Sequence, residues 1–107
     1  MVTALIADDE RLMREQLAGR LAQVWPELEI VALATNGKEA VKLADEKSPQ
    51  IAFLDIRMPG LSGIEVAAQL DDNIHVVFVT AYDEYAIDAF DRGAIDYLLK
   101  PVDPERL

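Results

Sequence analysis

The chain has 107 residues, room for one domain with a sizeable core but not for two. Twenty acidic against ten basic residues give a net charge of −10, a balance that repels nucleic-acid phosphates and favours cations or basic protein surfaces. With no cysteine present, a disulfide framework, a thiolate nucleophile and a cysteine metal site are excluded, and a cytosolic location is permitted.

Leu5-Ile6-Ala7 reads as a buried strand, cut short by Asp8-Asp9-Glu10. That interruption, with no basic segment before it, does not fit a signal peptide, and no apolar run approaches the roughly 20 residues that span a bilayer. A soluble protein without a membrane partner is expected. Met13, Leu17, Leu21 and Val24 then recur at helical spacing, and Pro26 after Trp25 stops the helix, placing it over residues 10–25. A second strand covers 29–34. Asn36 followed three residues later by Glu39 predicts a capped helix reaching Glu46, ended by Ser48-Pro49.

Ile51-Ala52-Phe53-Leu54 makes a third buried strand that runs into Asp55. Beyond Met58-Pro59-Gly60, Ser62 and Glu65 have capping-box spacing for a helix ending near Leu70. A fourth strand covers 75–80 and ends on Thr80. Residues 83–91 read as a helix punctuated by Gly93, and 96–100 as the last strand. Asp103-Pro104 suits an N-cap and first helical position, but the chain stops at Leu107 before a turn closes. A fragment with a truncated last helix is expected.

Strands and helices alternating over short connections predict an α/β fold, a doubly wound parallel sheet with helices on both faces. Ligands in such sheets bind beyond the carboxyl ends of the strands. Asp8-Asp9, Asp55, Thr80 and Lys100 all stand at or just past such ends, and Pro101 follows them.

Each residue has an ordinary reading beside the chemical one. Asp8-Asp9 can cap the helix that follows and complement its dipole. Grouped with Asp55, they would instead place three carboxylates within a few Å, where like charges oppose ionisation unless a cation joins them. Oxygen-rich sites of that kind suit Mg²⁺ or Mn²⁺. Asp55 can simply start a turn, but it has no obvious helix to cap before Pro59 and Gly60. A carboxylate so placed can also attack a phosphoryl group, given a metal and a fixed cation opposite. Lys100 can supply that cation or be a solvated lysine at a strand end; an X-Pro bond to Pro101 in the cis form would fix its loop. Thr80 can donate to a phosphoryl oxygen or be an ordinary strand threonine. Tyr97, apolar with a polar tip, suits either a rotating switch or plain interface packing.

Taken together and in order along the whole chain, these residues, with Met58-Pro59-Gly60 and Lys100-Pro101, resemble the receiver domain of bacterial two-component response regulators. The resemblance implies a single receiver domain over 1–107 with a five-stranded sheet in flavodoxin-like order 2-1-3-4-5. Asp55 would be the phosphoacceptor, with Asp9, Asp55 and the Arg57 carbonyl binding the metal and Asp8 assisting through water. Thr80 and Lys100 would contact the phosphoryl group, and Tyr97 would be the aromatic switch. The partner implied is a sensor histidine kinase docking near the first helix, where Arg11, Arg14 and Glu15 are expected to be exposed. A homodimer through the face made by the helix over 83–91 and the last strand is also implied, with no nucleic acid bound by this domain itself.

Tyr85-Ala86-Ile87-Asp88-Ala89-Phe90 and Asp96-Tyr97-Leu98-Leu99-Lys100-Pro101-Val102 resemble more narrowly the receivers that precede LytTR-type DNA-binding domains. Such an output domain would have to follow Leu107. Arg57 and Tyr82 flank the approach of hydrolytic water, and their bulk is expected to slow dephosphorylation. The domain would be a phosphoacceptor with self-catalysed transfer and hydrolysis, not an enzyme acting on a separate substrate.

Two other classes are less compatible. A haloacid-dehalogenase-like phosphatase wants a second acid two residues past its nucleophile, where Arg57 stands. A flavodoxin-like nucleotide binder wants a glycine-rich phosphate loop after the first strand, where Ala7-Asp8-Asp9-Glu10 puts negative charge. A receiver-shaped interaction module that works without phosphorylation stays open as the alternative.

Overall fold

The computed structural model of the chain describes residues 2–80 and, within a strand, the backbone of 96–99. In chain order the elements are β1 (Thr3–Ala7), α1 (Arg11–Val24), β2 (Glu29–Ala34), α2 (Gly37–Lys47), β3 (Ile51–Leu54), α3 (Gly63–Gln69), β4 (His75–Thr80) and β5 (Asp96–Leu99). All pairings are parallel, in one sheet of order β2-β1-β3-β4-β5. The helix expected over 83–91, the truncated helix after Asp103, and Tyr82, Lys100 and Pro101 lie outside the described residues.

The strands are apolar almost throughout because both faces of the sheet are covered. Side chains alternate along each strand. On one face Leu5, Ala7, Ala52, Leu54, Val76 and Phe78 join Ala40 and Ala44 of α2 and Ile64 and Val66 of α3. On the other, Ala4, Ile6, Phe53 and Val79 pack with Leu17 and Leu21 of α1. The α1 stripe is shorter than its spacing suggests. Leu17 and Leu21 are buried and Met13 is half-buried, but Val24, the last residue of the helix, is 42% exposed.

Helix starts follow their capping residues. Asn36 accepts from the Glu39 N–H at 2.8 Å. Ser62 accepts from the Glu65 N–H at 3.2 Å while Glu65 Oε1 accepts from the Ser62 N–H, also at 3.2 Å, so the predicted capping box is formed. α1 begins differently: Glu10 occupies its N-cap position and its side chain makes no capping bond. Among the described residues no helix is long and apolar enough to cross a membrane.

Candidate functional site

Strand register sets the site. Ala7 lies beside Leu54, and Leu54 beside Phe78. The next residues of β1 and β3 are therefore Asp8 and Asp55, carried past the same edge of the sheet, and the Asp55 N–H donates to the Ala7 carbonyl at 2.9 Å. Thr80 ends β4, fully buried, and pairs with Leu99 of β5. Leu99 is the residue before Lys100; Lys100 itself and the Tyr97 side chain lie outside what is described.

Asp8 and Asp55 are both buried, at 5% and 6% exposure, whereas Asp9 and Glu10 are exposed. The Asp8 side chain serves the local turn as well: its Oδ1 accepts from the Glu10 N–H at 2.9 Å, an Asx-type bond two residues along the chain. That bond folds residues 8–10 over the strand end. Among the described residues, the acidic group whose ligand atoms lie within 4.8 Å of one another is accordingly Asp8, Asp9 and Glu10. The carboxylate of Asp55 is not a member of that group. Glu10 is the residue that strand spacing does not reveal, since the turn at Asp8 brings it in.

Arg14 also departs from expectation. It is half-buried, and its Nη1 donates to the Asp8 carbonyl at 2.7 Å, so the guanidinium braces the acidic turn. Arg11 and Glu15 are exposed and paired with each other at 3.1 Å.

The loop after Asp55 is anchored by alternation. Ile56 and Met58 are buried in the cluster shared with α2 and α3, which leaves Arg57 between them on the surface. A recess of about 420 Å³ opens there, lined by Asp9, Arg57, Met58, Pro59, Ser62 and Glu65 among others. Asp9 thus faces the loop that carries Asp55 and Arg57.

The donor set fits a small hard cation. Carboxylate oxygens at the open end of a buried strand offer hard ligands with room for water, which Mg²⁺ and Mn²⁺ require. Asp8 and Asp55 are buried, while exposed Asp9 and Glu10 leave the mouth accessible.

Comparison with known proteins converges on one family. The response regulator receiver domain model matches residues 4–107. An uncharacterized response regulatory protein of Vibrio cholerae is 54% identical over 108 residues, covering 98% of this chain and 41% of its own length. The transcriptional regulatory protein BtsR of Salmonella typhi is 46% identical over 109 residues, covering 100% of this chain and 45% of its own. The chain therefore spans less than half the length of these relatives. Among solved structures, a CheX-CheY-BeF3-Mg+2 complex from Borrelia burgdorferi contains a chain with TM-score 0.86 and 27% identity, the match covering 98% of this chain and 82% of that one.

Proposed function

Since the chain belongs to the response regulator receiver family of two-component signalling, we propose that it is a phosphorylation-dependent switch whose acceptor is Asp55. One observation carries this reading: parallel register brings buried Asp8, buried Asp55 and buried Thr80 to one sheet edge, with Leu99, the neighbour of Lys100, paired to Thr80. The partner is a sensor histidine kinase. A carboxylate oxygen of Asp55 forms the new P–O bond as the P–N bond to the kinase imidazole breaks, and the imidazole nitrogen leaves with the electron pair. The reaction is held in line by placement of the acceptor.

Asp8, Asp9, Asp55 and the Arg57 carbonyl are the residues that would hold Mg²⁺, or Mn²⁺ in its place. Bound there, the ion supplies neutralisation of the phosphoryl oxygens. The acidic group around Asp8 and Asp9, and the Mg²⁺ named for the Borrelia burgdorferi complex, support this. The Lys100 ammonium offsets charge on the same oxygens, and the Thr80 hydroxyl donates to one of them.

Thr80 then moves toward the phosphoryl group and makes room for Tyr97 to turn, which changes the face built on the last strand. That face forms a homodimer and relays the state to a DNA-binding output domain, of the LytTR type by the resemblance of 85–90 and 96–102. The domain binds no nucleic acid directly and works in the cytoplasm. It acts on no separate substrate, and the phosphoryl group is lost by self-catalysed hydrolysis that Arg57 and Tyr82 slow.

The test is incubation with Mg²⁺ and a small acyl-phosphate donor, read by intact mass for wild type and Asp55→Asn. Wild type is expected to gain one phosphoryl group and the variant none. Two unmodified proteins would favour an interaction module independent of phosphorylation, and two modified ones would move the acceptor elsewhere.

A further inference from the structure

α2 and α3 begin with the same local sequence: a capping residue, a glycine, any residue, a glutamate. In α2 it is Asn36-Gly37-Lys38-Glu39 and in α3 Ser62-Gly63-Ile64-Glu65. The caps fix each glycine as the first helical residue. Both glycines are buried, and both abut the backbone of the loop that leaves Asp55.

At Gly63 a Cβ would overlap the carbonyl oxygen of Asp55, and would lie 2.9 Å from its carbonyl carbon and 3.0 Å from Ile56 Cα. At Gly37 a Cβ would overlap the carbonyl oxygen of Leu61, and would lie 2.6 Å from Leu61 Cβ and 2.9 Å from its carbonyl carbon. These neighbours are backbone or Cβ atoms, which cannot swing aside as the tip of a long side chain can. Gly19, inside α1, has nothing within 4 Å of the same hypothetical atom.

Resting on the reading of Asp55 as acceptor, we propose that Gly63 and Gly37 are positioning residues for phosphoryl acceptance. Together they let two helix N-termini close directly onto both ends of the loop that aims Asp55 and Arg57. The acceptor peptide is held on its amide side by β1, through the Asp55 N–H to the Ala7 carbonyl at 2.9 Å. On its carbonyl side Gly63 closes over it and donates its own N–H to Ile56 O at 2.7 Å. Leu61, against Gly37, sets the far end of the same loop. A side chain at Gly63 must lift α3 or push the Asp55 carbonyl, and because the overlap is with the peptide of the acceptor, the displacement falls on the backbone that carries the reacting carboxylate.

The experiment compares Gly63→Ala, Gly37→Ala and Gly19→Ala with wild type in the full chain. Folding is followed by circular dichroism and urea titration. Adduct formation from an acyl-phosphate donor at saturating Mg²⁺ is followed by intact mass, well below every variant's melting transition. Misplacing an acceptor by about 1 Å costs on the order of a hundredfold in rate. Gly63→Ala is therefore expected to lose about that factor, and Gly37→Ala about tenfold, with the loss in kcat for the donor and not in its KM. Amide resonances of Asp55, Ile56 and Arg57 should shift in both, and Gly19→Ala should match wild type.

A folded Gly63→Ala that accepts phosphoryl at the wild-type rate overturns the proposal while leaving Asp55 as acceptor. A wild type that gains no phosphoryl group overturns the acceptor reading, and this proposal with it. If Gly63→Ala does not fold, Gly37→Ala decides by the same criterion. If neither folds, the glycines serve the whole fold and the proposal falls.

Discussion

Asp8 combines two demands in one buried carboxylate. Its Oδ1 closes the turn into α1 by accepting from the Glu10 N–H at 2.9 Å, and its charge faces Asp9 and Glu10. Substitution separates the demands. Asp8→Asn keeps an acceptor oxygen for the turn but removes charge; Asp8→Ala removes both. The free energy of unfolding of Asp8→Asn is expected to stay within about 0.5 kcal/mol of wild type, and that of Asp8→Ala to drop by about 1 kcal/mol for the lost hydrogen bond. Calorimetric titration with Mg²⁺ should show weaker binding for both. Wild-type affinity in Asp8→Asn would remove Asp8 from the ligand set. The placement of Asp8, Asp55 and Thr80 at one end of the sheet was legible because carboxylates and a threonine end otherwise apolar runs. The closeness of Glu10 to Asp8 and Asp9 was not, because it depends on one side-chain bond that turns the chain back on itself. The brace from Arg14 to the Asp8 carbonyl was equally hidden, since an arginine early in a helix reads as solvated until its reach is known.

Elements were legible where local chemistry decides them. Asn36 with Glu39 and Ser62 with Glu65 announced α2 and α3, and their bonds are formed as spaced. The strands announced themselves because a sheet covered on both faces tolerates few polar residues. The extent of the buried stripe of α1 could not be read in the same way: helical spacing carried it to Val24, but Val24 is exposed. The close approaches at Gly37 and Gly63 need two distant segments in place before either can be seen. The end of α2 offers a test of how far local geometry controls stability. Ser48 closes the helix in the left-handed region, φ 47 and ψ 55, with its N–H bonded to the Ala44 carbonyl at 2.9 Å. Left-handed backbone costs an L-residue roughly 1–2 kcal/mol, and glycine avoids that cost while giving back part of it in chain entropy. Ser48→Gly is expected to raise unfolding stability by about 0.5 kcal/mol, seen as a higher urea midpoint at unchanged slope. A lower midpoint would mean that the serine side chain contributes a contact larger than the relief.

At the scale of the whole molecule the net charge of −10 and the acidic mouth of the site act together. Self-repulsion of a chain this acidic opposes the compact state, and added salt relieves it by screening within a Debye length of about 10 Å at 0.1 M. A divalent ion, if the folded carboxylates hold one as proposed, would add a second, specific contribution that follows mass action and reaches about 2.7 kcal/mol at a hundred times its Kd. The two separate by matching ionic strength. MgCl₂ is expected to raise the melting temperature above the value in NaCl of equal ionic strength, and the excess should saturate with concentration. Asp9 is exposed and faces the loop that leaves Asp55, so Asp9→Asn should leave the NaCl response almost intact while abolishing the Mg²⁺ excess. An equal response to both salts in the wild type would mean that the acidic edge of the sheet is only diffuse negative charge. A Mg²⁺ excess that survives in Asp9→Asn would place the ion among the other carboxylates without it.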